Sequence, residues 1–208
     1  MDGPLPGEQL FRADFGNWEL NACLNCYDMT AGDIADGYKQ SADALVDAIE
    51  VSTNTVHLTL DLAIYPIVFL YRHYLELQLK QIIISTKILE REQGVPFGHR
   101  LDELWTEAKR LLTKHYKNLP PEFTHLQTCI DEFHAVDGGS MAFRYVADRQ
   151  GKSMLKDIKH INVRNLQESM DRIHNLLDGV SMELASRIEI RCEMEAEARS
   201  INIDHGAA

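Results

Sequence analysis

Apolar side chains recur at three- and four-residue spacing along most of this 208-residue chain, and that is the period of amphipathic α-helices. The pattern predicts about five helices, the first starting at Asp36 and the second covering about Asp61 to Glu92. A third begins at the stretch HRLDELW, a fourth covers about 121–135, and the last runs from near Asn162 to about Ala198. Pro and Gly residues end the second and third patterns, as expected where helices stop.

Four of these helices carry a clear apolar stripe that is predicted to face a common core. The predicted inward positions are Tyr38, Ala42, Leu45, Val46 and Ile49 in the first helix, Leu101, Leu104, Trp105, Ala108, Leu111 and Leu112 in the third, Phe123, Leu126, Ile130 and Phe133 in the fourth, and Val163, Leu166, Met170, Ile173, Leu176, Leu177 and Val180 in the last. No run of strands alternates with the helices, so the sequence predicts an all-α, antiparallel helical bundle rather than a parallel-sheet fold.

Irregular segments flank and interrupt this bundle. Residues 1–35 hold much of the Gly, Pro and Asn and are predicted to form an irregular N-terminal arm that docks Phe11, Phe15 and Trp18 onto the core. A short irregular or hairpin insertion is expected near 138–151, where glycines flank a β-prone segment. The domain organisation predicted is therefore the arm, a single helical domain over 36–198, and a frayed tail over 199–208.

Composition and charge limit the classes of function. The chain has 45% hydrophobic and 25% charged residues and a formal net charge of −11, typical of a globular protein. Such a charge disfavours non-specific binding to a nucleic-acid backbone, although a local basic pocket remains compatible with it. The sequence does not start with the basic residues and following apolar stretch that predict a signal peptide. No apolar run is long enough to span a membrane, so we expect a cytoplasmic protein.

The four cysteines do not form a metal-binding pattern. Cys23 and Cys26 make a lone Cys-x-x-Cys, while Cys129 and Cys192 lie far apart, and a structural zinc site needs a second pair at similar spacing. The expectation is reduced, partly buried thiols, with no metal and no cofactor.

Three charged residues share one face of the otherwise apolar second helix. Arg72, Glu76 and Lys80 are spaced four apart in FLYRHYLELQLK, so they form a column about two turns long. Either the column is a ladder of intrahelical ion pairs that lets the helix touch water, or it is a charged strip directed at a ligand or partner.

Three motifs in order carry a resemblance to a known family. LELQLKQIII has the form E-x-x-x-K, GHRLDELW has the form H-x-L-x-x-L, and FRYVAD has the form R-Y-x-x-D. The residues at these motifs are Glu76, Lys80, His99, Arg144, Tyr145 and Asp148. Together the motifs, within roughly 60–180, resemble the HEPN superfamily of nucleotide-binding helical domains.

The resemblance implies a helical bundle, frequently dimeric, that binds nucleotides or RNA. Many members are metal-independent ribonucleases of toxin–antitoxin or phage-defence systems, which implies an antitoxin or defence protein as a partner; others are non-catalytic binding modules. The ribonuclease members share an Arg-x(4-6)-His element, a spacing that occurs here at Arg110–His115 and Arg199–His205, whereas Arg164 and His174 lie too far apart.

Residue chemistry indicates where such an activity would lie. Metal-free RNA cleavage needs a base near neutral pH and cations for the phosphate, which His and Arg supply. The candidate catalytic residues are His99, Arg144 and His73, and the candidate ligand-binding residues are Arg72, Glu76, Lys80, Tyr145 and Asp148. The alternative is a non-catalytic interaction or homodimerisation module, in which Arg144 pairs with Asp148 or Glu76, His99 caps a helix, and the same charges form a structural network.

Overall fold

A computed structural model describes residue 7 and residues 9–24, 28–51, 60–116 and 119–205. A 3-10 helix over Phe15–Leu20 is followed by five α-helices in this part of the chain. They are α1 (Ala31–Val51), α2 (Leu60–Glu90), α3 (Leu101–His115), α4 (Glu122–Asp137) and α5 (Val163–His205). The described residues contain no strand, only an isolated antiparallel bridge between Ala147 and Ser153, so the predicted all-α bundle is confirmed.

The main core lies around α2, which packs against α1, α3 and α5. The predicted inward positions of α1, α3, α4 and α5 all belong to this core or pack against it. On α2 itself, Tyr71, Leu75 and Leu79 are fully buried. A second, smaller cluster joins Val68 to Ala142 and Phe143, so the irregular segment between α4 and α5 is held on the bundle by apolar contacts.

The start of α1 differs from the prediction because of a local capping motif. The hydroxyl of Thr30 accepts a hydrogen bond from the Asp33 backbone N–H at 3.2 Å, and the Asp33 carboxylate accepts one from the Thr30 N–H at 2.7 Å. This reciprocal pair satisfies backbone donors that the first turn leaves without partners. The helix therefore begins at Ala31, before the predicted Asp36.

The prediction that the N-terminal arm docks on the core is wrong. Phe11 is 101% exposed, Phe15 88% and Trp18 69%. The local order of the arm comes instead from Asp14, whose side chain accepts from the Gly16 N–H at 2.9 Å and starts the 3-10 helix. Helix α5 also continues to His205, past its predicted end at Ala198 and into the predicted frayed tail; residues 206–208 lie outside the described part of the chain.

Candidate functional site

The charged column of α2 is largely buried, so the alternative in which it lets the helix touch water is wrong for Arg72 and Glu76. Arg72 is 1% exposed and Glu76 2%, while the Lys80 side chain is 18% exposed. Arg72 Nη1 lies 3.4 Å from Glu76 Oε2, and Lys80 Nζ lies 2.8 Å from Glu76 Oε1. A buried ion pair differs from an exposed one because the loss of one partner leaves a charge without compensation in a medium of low dielectric constant.

Arg72 connects three segments that are far apart in sequence. Its Nη2 donates to the His99 carbonyl at 2.7 Å, and its Nε donates to the Asp137 carbonyl at 3.2 Å, with the Asp137 carboxylate 3.7 Å away. Burial lowers the pKa of Arg72, while the negative charges of Asp137 and Glu76 raise it. The guanidinium therefore holds the loop before α3 and the end of α4 against α2. Because Arg72 is buried, its side chain does not reach the surface where a ligand would bind.

Glu76 orients the imidazole of His99. Glu76 Oε1 accepts from His99 Nδ1 at 2.7 Å, and the His99 side chain is 75% exposed. Burial raises the pKa of Glu76, but the hydrogen bonds from Lys80 and His99 outweigh it, and the net pKa is lowered. An ionised carboxylate only accepts hydrogen bonds, so Nδ1 carries the proton of this bond and Nε2 is left for contact with a ligand.

The backbone just before His99 explains how the ring reaches Glu76. Gly98 has a φ of +94°, a left-handed conformation that glycine adopts without steric cost. The chain turns there, and α3 begins two residues after His99, with Arg100 at the N-cap position. The alternative in which His99 caps this helix is wrong, because the His99 ring bonds Glu76 and the N-cap residue is Arg100, which makes no side-chain capping bond.

His73 lies on α2, one turn after Phe69, and its ring is between two aromatic rings. Its ring is 4.4 Å from the Tyr38 ring in an edge-on arrangement and is stacked with the Phe69 ring at 6.0 Å. Burial lowers the pKa of His73, while the negative charge of Glu76 acts in the opposite direction. The imidazole is thus held neutral at pH 7 and is sensitive to the charges of Arg72, Lys80 and His99.

Arg144 lies on an aromatic platform. Its guanidinium carbon is 5.7 Å from the centre of the Phe69 ring and 5.5 Å from that of Tyr145, and its Nε donates to the Ser140 carbonyl at 2.7 Å. Arg144 is exposed and Tyr145 is 50% exposed. In the described part of the chain Arg144 forms no ion pair with Asp148 or Glu76, so the alternative in which it pairs with one of these carboxylates is wrong.

Two residues that the sequence analysis did not single out assemble this site. Phe69 contacts both Arg144 and His73, and its position one turn before His73 on α2 is the signal that could have found it. Asp137 holds Arg72, and its Oδ1 accepts from the backbone N–H groups of Met141 at 2.6 Å and Ala142 at 2.9 Å. An acidic residue directly before two glycines at a helix end was the available indication.

Asp148 has a local role in the structure. Its Oδ1 accepts hydrogen bonds from the backbone N–H groups of Lys152 and Gln150. These bonds lower the pKa of Asp148, and the bond from Lys152 has the larger effect. The residue closes the tight turn beside the Ala147–Ser153 bridge. No contact joins it to His99 or Arg144 in the described residues, so its side chain is assigned to the turn.

The other Arg and His pairs are engaged in separate contacts. Arg110 pairs with Glu107 at 2.7 Å, and His115 lies 3.0 Å from Glu90. His174 Nδ1 is 3.2 Å from the Tyr74 hydroxyl. The side chain of His205 lies outside the described residues, as does Cys26, so the Arg199–His205 and Cys23–Cys26 pairs are not placed.

Comparisons with known proteins identify no relative. No family model matches the chain, and no curated protein or solved structure is significantly similar to it. Across the described ranges, no group of three or more His, Cys, Asp or Glu side chains is arranged to hold a metal ion. Among the helices described, none combines the length and the apolarity that crossing a membrane requires.

Proposed function

We propose that this protein is a HEPN-like domain that binds a nucleotide or RNA at the surface formed by His99, Arg144 and Tyr145. The observation that carries the proposal is the hydrogen bond between the exposed imidazole of His99 and the buried carboxylate of Glu76. A carboxylate that fixes one ring nitrogen directs the other toward a substrate and stabilises the protonated ring. This pairing suits proton transfer from a ribose 2′-hydroxyl.

A cation and aromatic rings next to His73 support a nucleic-acid ligand. Arg144 is exposed and lies over the Phe69 ring, which stacks in turn on His73. Arg144 is also close enough to Arg72 to add to the pKa-lowering effect that burial has on Arg72. The site therefore offers a guanidinium for a phosphate and, at Tyr145, a half-exposed ring on which a base can stack.

In the proposed catalytic form, the protein is a metal-independent endoribonuclease of a toxin–antitoxin or phage-defence module. His99 Nε2 removes the proton of the ribose 2′-hydroxyl, and the 2′-oxygen attacks the phosphorus as the bond from phosphorus to the 5′-oxygen breaks, which leaves a 2′,3′-cyclic phosphate and a 5′-hydroxyl that takes its proton from water. Arg144 stabilises the negative charge that develops on the phosphate, and His73 contributes a second, neutral imidazole to the site. Arg72 and Glu76 position these groups from within the bundle, while Lys80, whose side chain is 18% exposed, pairs with Glu76 and is the second cation available to a phosphate. The partners proposed are RNA, a second copy of the chain, and an antitoxin or defence protein.

The second candidate is a non-catalytic interaction module. Its support is the Arg72 guanidinium, whose three nitrogen atoms are all engaged by protein groups, and the exposed aromatic side chains of the N-terminal arm. On this hypothesis the ion pairs stabilise the bundle and the arm binds another protein chain.

Cleavage of end-labelled RNA by the purified protein in EDTA tests the first proposal. His99→Ala and Arg144→Ala are each expected to reduce the cleavage rate by about 100-fold or more, the range for loss of a general base or a charge-stabilising donor. His125→Ala and Arg172→Ala are matched controls, since both residues are exposed on other helices, and they should retain the rate. Melting temperatures of all four variants separate loss of chemistry from loss of folding.

The outcomes discriminate between the two functions. If the wild type leaves RNA intact but binds a labelled single strand, and Arg144→Ala loses this binding, the site is a binding site without nuclease activity. If neither cleavage nor binding occurs, or if the two site variants behave like the controls, the nucleotide or RNA proposal fails and the interaction module is favoured.

A further inference from the structure

A cavity of about 440 Å³ lies on the bundle between α2, α4, α5 and the irregular segment that joins the last two helices. Most of its lining is apolar and includes Val68, Phe133, Phe143, Ile161, Leu166 and Ile173. This volume lies within the range of small-molecule binding sites, which are usually apolar with a few polar groups. None of the residues of the proposed nucleotide site lines it.

The cavity exists because the irregular segment rests on the bundle through a small cluster of its own. Phe143 is 5% exposed and packs near Val68, while Ile161 and Leu166 are only partly buried against the same cluster. This segment, here called the roof segment, thus covers part of α4 and α5. It contacts the bundle at Phe143 and near the start of α5. Apolar side chains between these contacts face a space that no side chain of the described residues fills.

Polar groups are gathered at the mouth of the cavity. Ser169, Asn165, His160 and Glu132 belong to its lining. Arg172 Nη2 donates to Ser169 Oγ at 3.1 Å, which places a guanidinium beside this opening. Asn165 and His160 are exposed, so their side chains are available to a ligand's polar end.

The charge of the roof segment is opposite to that of the whole protein. Residues 138–162, the segment itself, contain five Lys or Arg residues and two acidic residues, Asp148 and Asp157, in a chain of net charge −11. Next to the lining residue Ile158, Lys159 is exposed, while Asp157 lies 3.9 Å from Lys156. Two cations, Lys159 and Arg172, therefore adjoin a lining that contains one carboxylate, Glu132, and an anionic group is favoured at the mouth over a neutral one.

We propose that this cavity binds a medium-chain aliphatic carboxylate. The aliphatic chain occupies the apolar interior, and the carboxylate lies at the mouth, within reach of Lys159, His160 and Arg172. The apolar lining accounts for the chain, and the excess of cations at the opening accounts for the anionic end. This site is separate from the proposed nucleotide site and is independent of that function.

Cys129 offers a direct readout of occupancy because its thiol lines the cavity. Burial raises the pKa of this thiol, so less of it is the reactive thiolate and it reacts slowly with alkylating reagents. A ligand that covers the thiol slows this reaction further. In the full-length chain with Cys23→Ser, Cys26→Ser and Cys192→Ser, decanoate below its micellar concentration should slow alkylation by iodoacetamide in a saturable manner. Calorimetric titration of the wild type with decanoate gives the affinity independently.

Two comparisons test the chemistry of the ligand. Decan-1-ol, which has the same chain and a neutral end, should bind at least about fivefold more weakly, as expected from the loss of one partly exposed charge pair. Arg172→Gln should weaken decanoate binding by a similar factor and leave decan-1-ol binding unchanged. Equal affinity for the two compounds would overturn the assignment of an anion, and absence of saturable binding would overturn the site.

The position of the site is tested by filling the cavity. Ser169→Phe places a large ring into the lining of α5 and should abolish decanoate binding, whereas Ser186→Phe, at an exposed position of the same helix, should not. Retained binding in a folded Ser169→Phe protein would contradict the location. Arg172→Gln keeps the proposal testable if Ser169→Phe does not fold. His99→Ala should bind decanoate normally, which separates this test from that of the nucleotide site.

Discussion

Glu76 is the residue on which the geometry of the candidate site depends most. It is 2% exposed and accepts hydrogen bonds from Lys80, His99 and Arg72. Glu76→Gln keeps the shape of the side chain but removes its charge, so Arg72 retains only the Asp137 carboxylate as a buried counter-charge. We expect the free energy of unfolding at pH 7 to fall by about 3 kcal/mol, as when a buried pair loses one partner.

Urea denaturation of wild type and Glu76→Gln measures this loss. Glu183→Gln is the matched control, because Glu183 is 43% exposed and pairs with Arg187 on the surface of α5, and its loss should stay below about 1 kcal/mol. A loss for Glu76→Gln as small as that for Glu183→Gln would contradict a structural role for the buried pair.

The lowered pKa of Glu76 predicts how this contribution changes with pH. The folded protein holds the carboxylate ionised below its ordinary pKa of 4.5, so the unfolded chain binds the proton first as the pH falls. The stabilisation is present above pH 4.5 and is lost as the pH falls through the lowered folded pKa. The difference in unfolding free energy between wild type and Glu76→Gln should therefore shrink from about pH 5 to about pH 3.

Denaturation curves of both proteins across that pH range are the measurement. The Gln variant is its own control, since it keeps every other titrating group. A difference that stays constant down to about pH 3 would show that Glu76 does not titrate differently in the folded and unfolded states.

For these charged residues, the sequence predicted their spacing along the helix but not their burial. Four-residue spacing was sufficient to place Arg72, Glu76 and Lys80 on one face of a helix. It could not show that this face points inward, because the groups that make burial possible, the Asp137 carboxylate and the His99 carbonyl, come from distant parts of the chain. Charges this close to the core are tolerated only with such partners.

Among the elements, the end of α4 connects the bundle to the candidate site. Asp137 is 4% exposed; its Oδ1 accepts from the N–H groups of Met141 and Ala142, and its carbonyl accepts from Arg72. This arrangement fixes the turn from α4 into the segment that carries Arg144. Asp137→Ala should lower the free energy of unfolding by about 2 to 3 kcal/mol, because the buried Ala142 N–H and the partly buried Met141 N–H lose their acceptor and Arg72 loses a nearby carboxylate.

Asp137→Asn separates the roles of shape and charge. Its amide oxygen can still accept from the turn, so its unfolding free energy should lie between those of the wild type and Asp137→Ala. Thermal unfolding followed by circular dichroism gives the order of the three proteins. If Asn is as damaging as Ala, the negative charge facing Arg72 matters more than the turn; if neither changes stability, the assigned role of Asp137 is wrong.

Helix periods were predicted more successfully than helix ends and irregular segments. The stripe from Leu101 to Leu112 gave the buried face of α3 in full, because a repeating apolar pattern is a property of the local sequence. The docking of the arm depended on whether a core surface remains to receive Phe11 and Trp18, and no local pattern contains that information. For the candidate site, the sequence named His99 and Arg144, whose function stays a prediction, and it did not name Phe69, which contacts both Arg144 and His73.

For the whole molecule, the small number of cations at the candidate site predicts a weak dependence of RNA binding on salt. Each phosphate contact to a single strand contributes a slope of about −0.7 to log K against log salt. With Arg144 and Lys80 as the two cations nearest the candidate site, we expect a total slope of about −1.4. Fluorescence anisotropy with a labelled single-stranded RNA over a series of NaCl concentrations measures it, and Arg144→Ala should reduce the slope by about 0.7.

A much steeper slope would carry a specific meaning. A second group of cations, Arg149, Lys152, Lys156 and Lys159, lies in the segment over the apolar cavity. A slope near about −4 would show that this segment also contacts phosphates, and the footprint of the RNA would then extend beyond the proposed site. The variant Lys152→Ala, at an exposed position of that segment, should leave the slope unchanged if the two surfaces act separately.

The exposed aromatic residues of the N-terminal arm predict self-association. Phe11, Phe15 and Trp18 lie within eight residues of one another in sequence, and each is more than two-thirds exposed. Apolar surface of this kind is costly in water and marks contact sites for other chains. The proposed second copy of the chain is the partner that is always present at the protein's own concentration.

Sedimentation velocity over a range of protein concentrations tests this expectation. Phe15→Ser with Trp18→Ser should shift the wild-type dimer toward monomer, because each substitution removes a large apolar contact. Phe97→Ser is the matched control, since Phe97 is 98% exposed but lies in the loop before α3. If the wild type is monomeric, or if Phe97→Ser dissociates it equally, the arm does not mediate dimerisation, and the self-association predicted from its aromatic side chains is wrong.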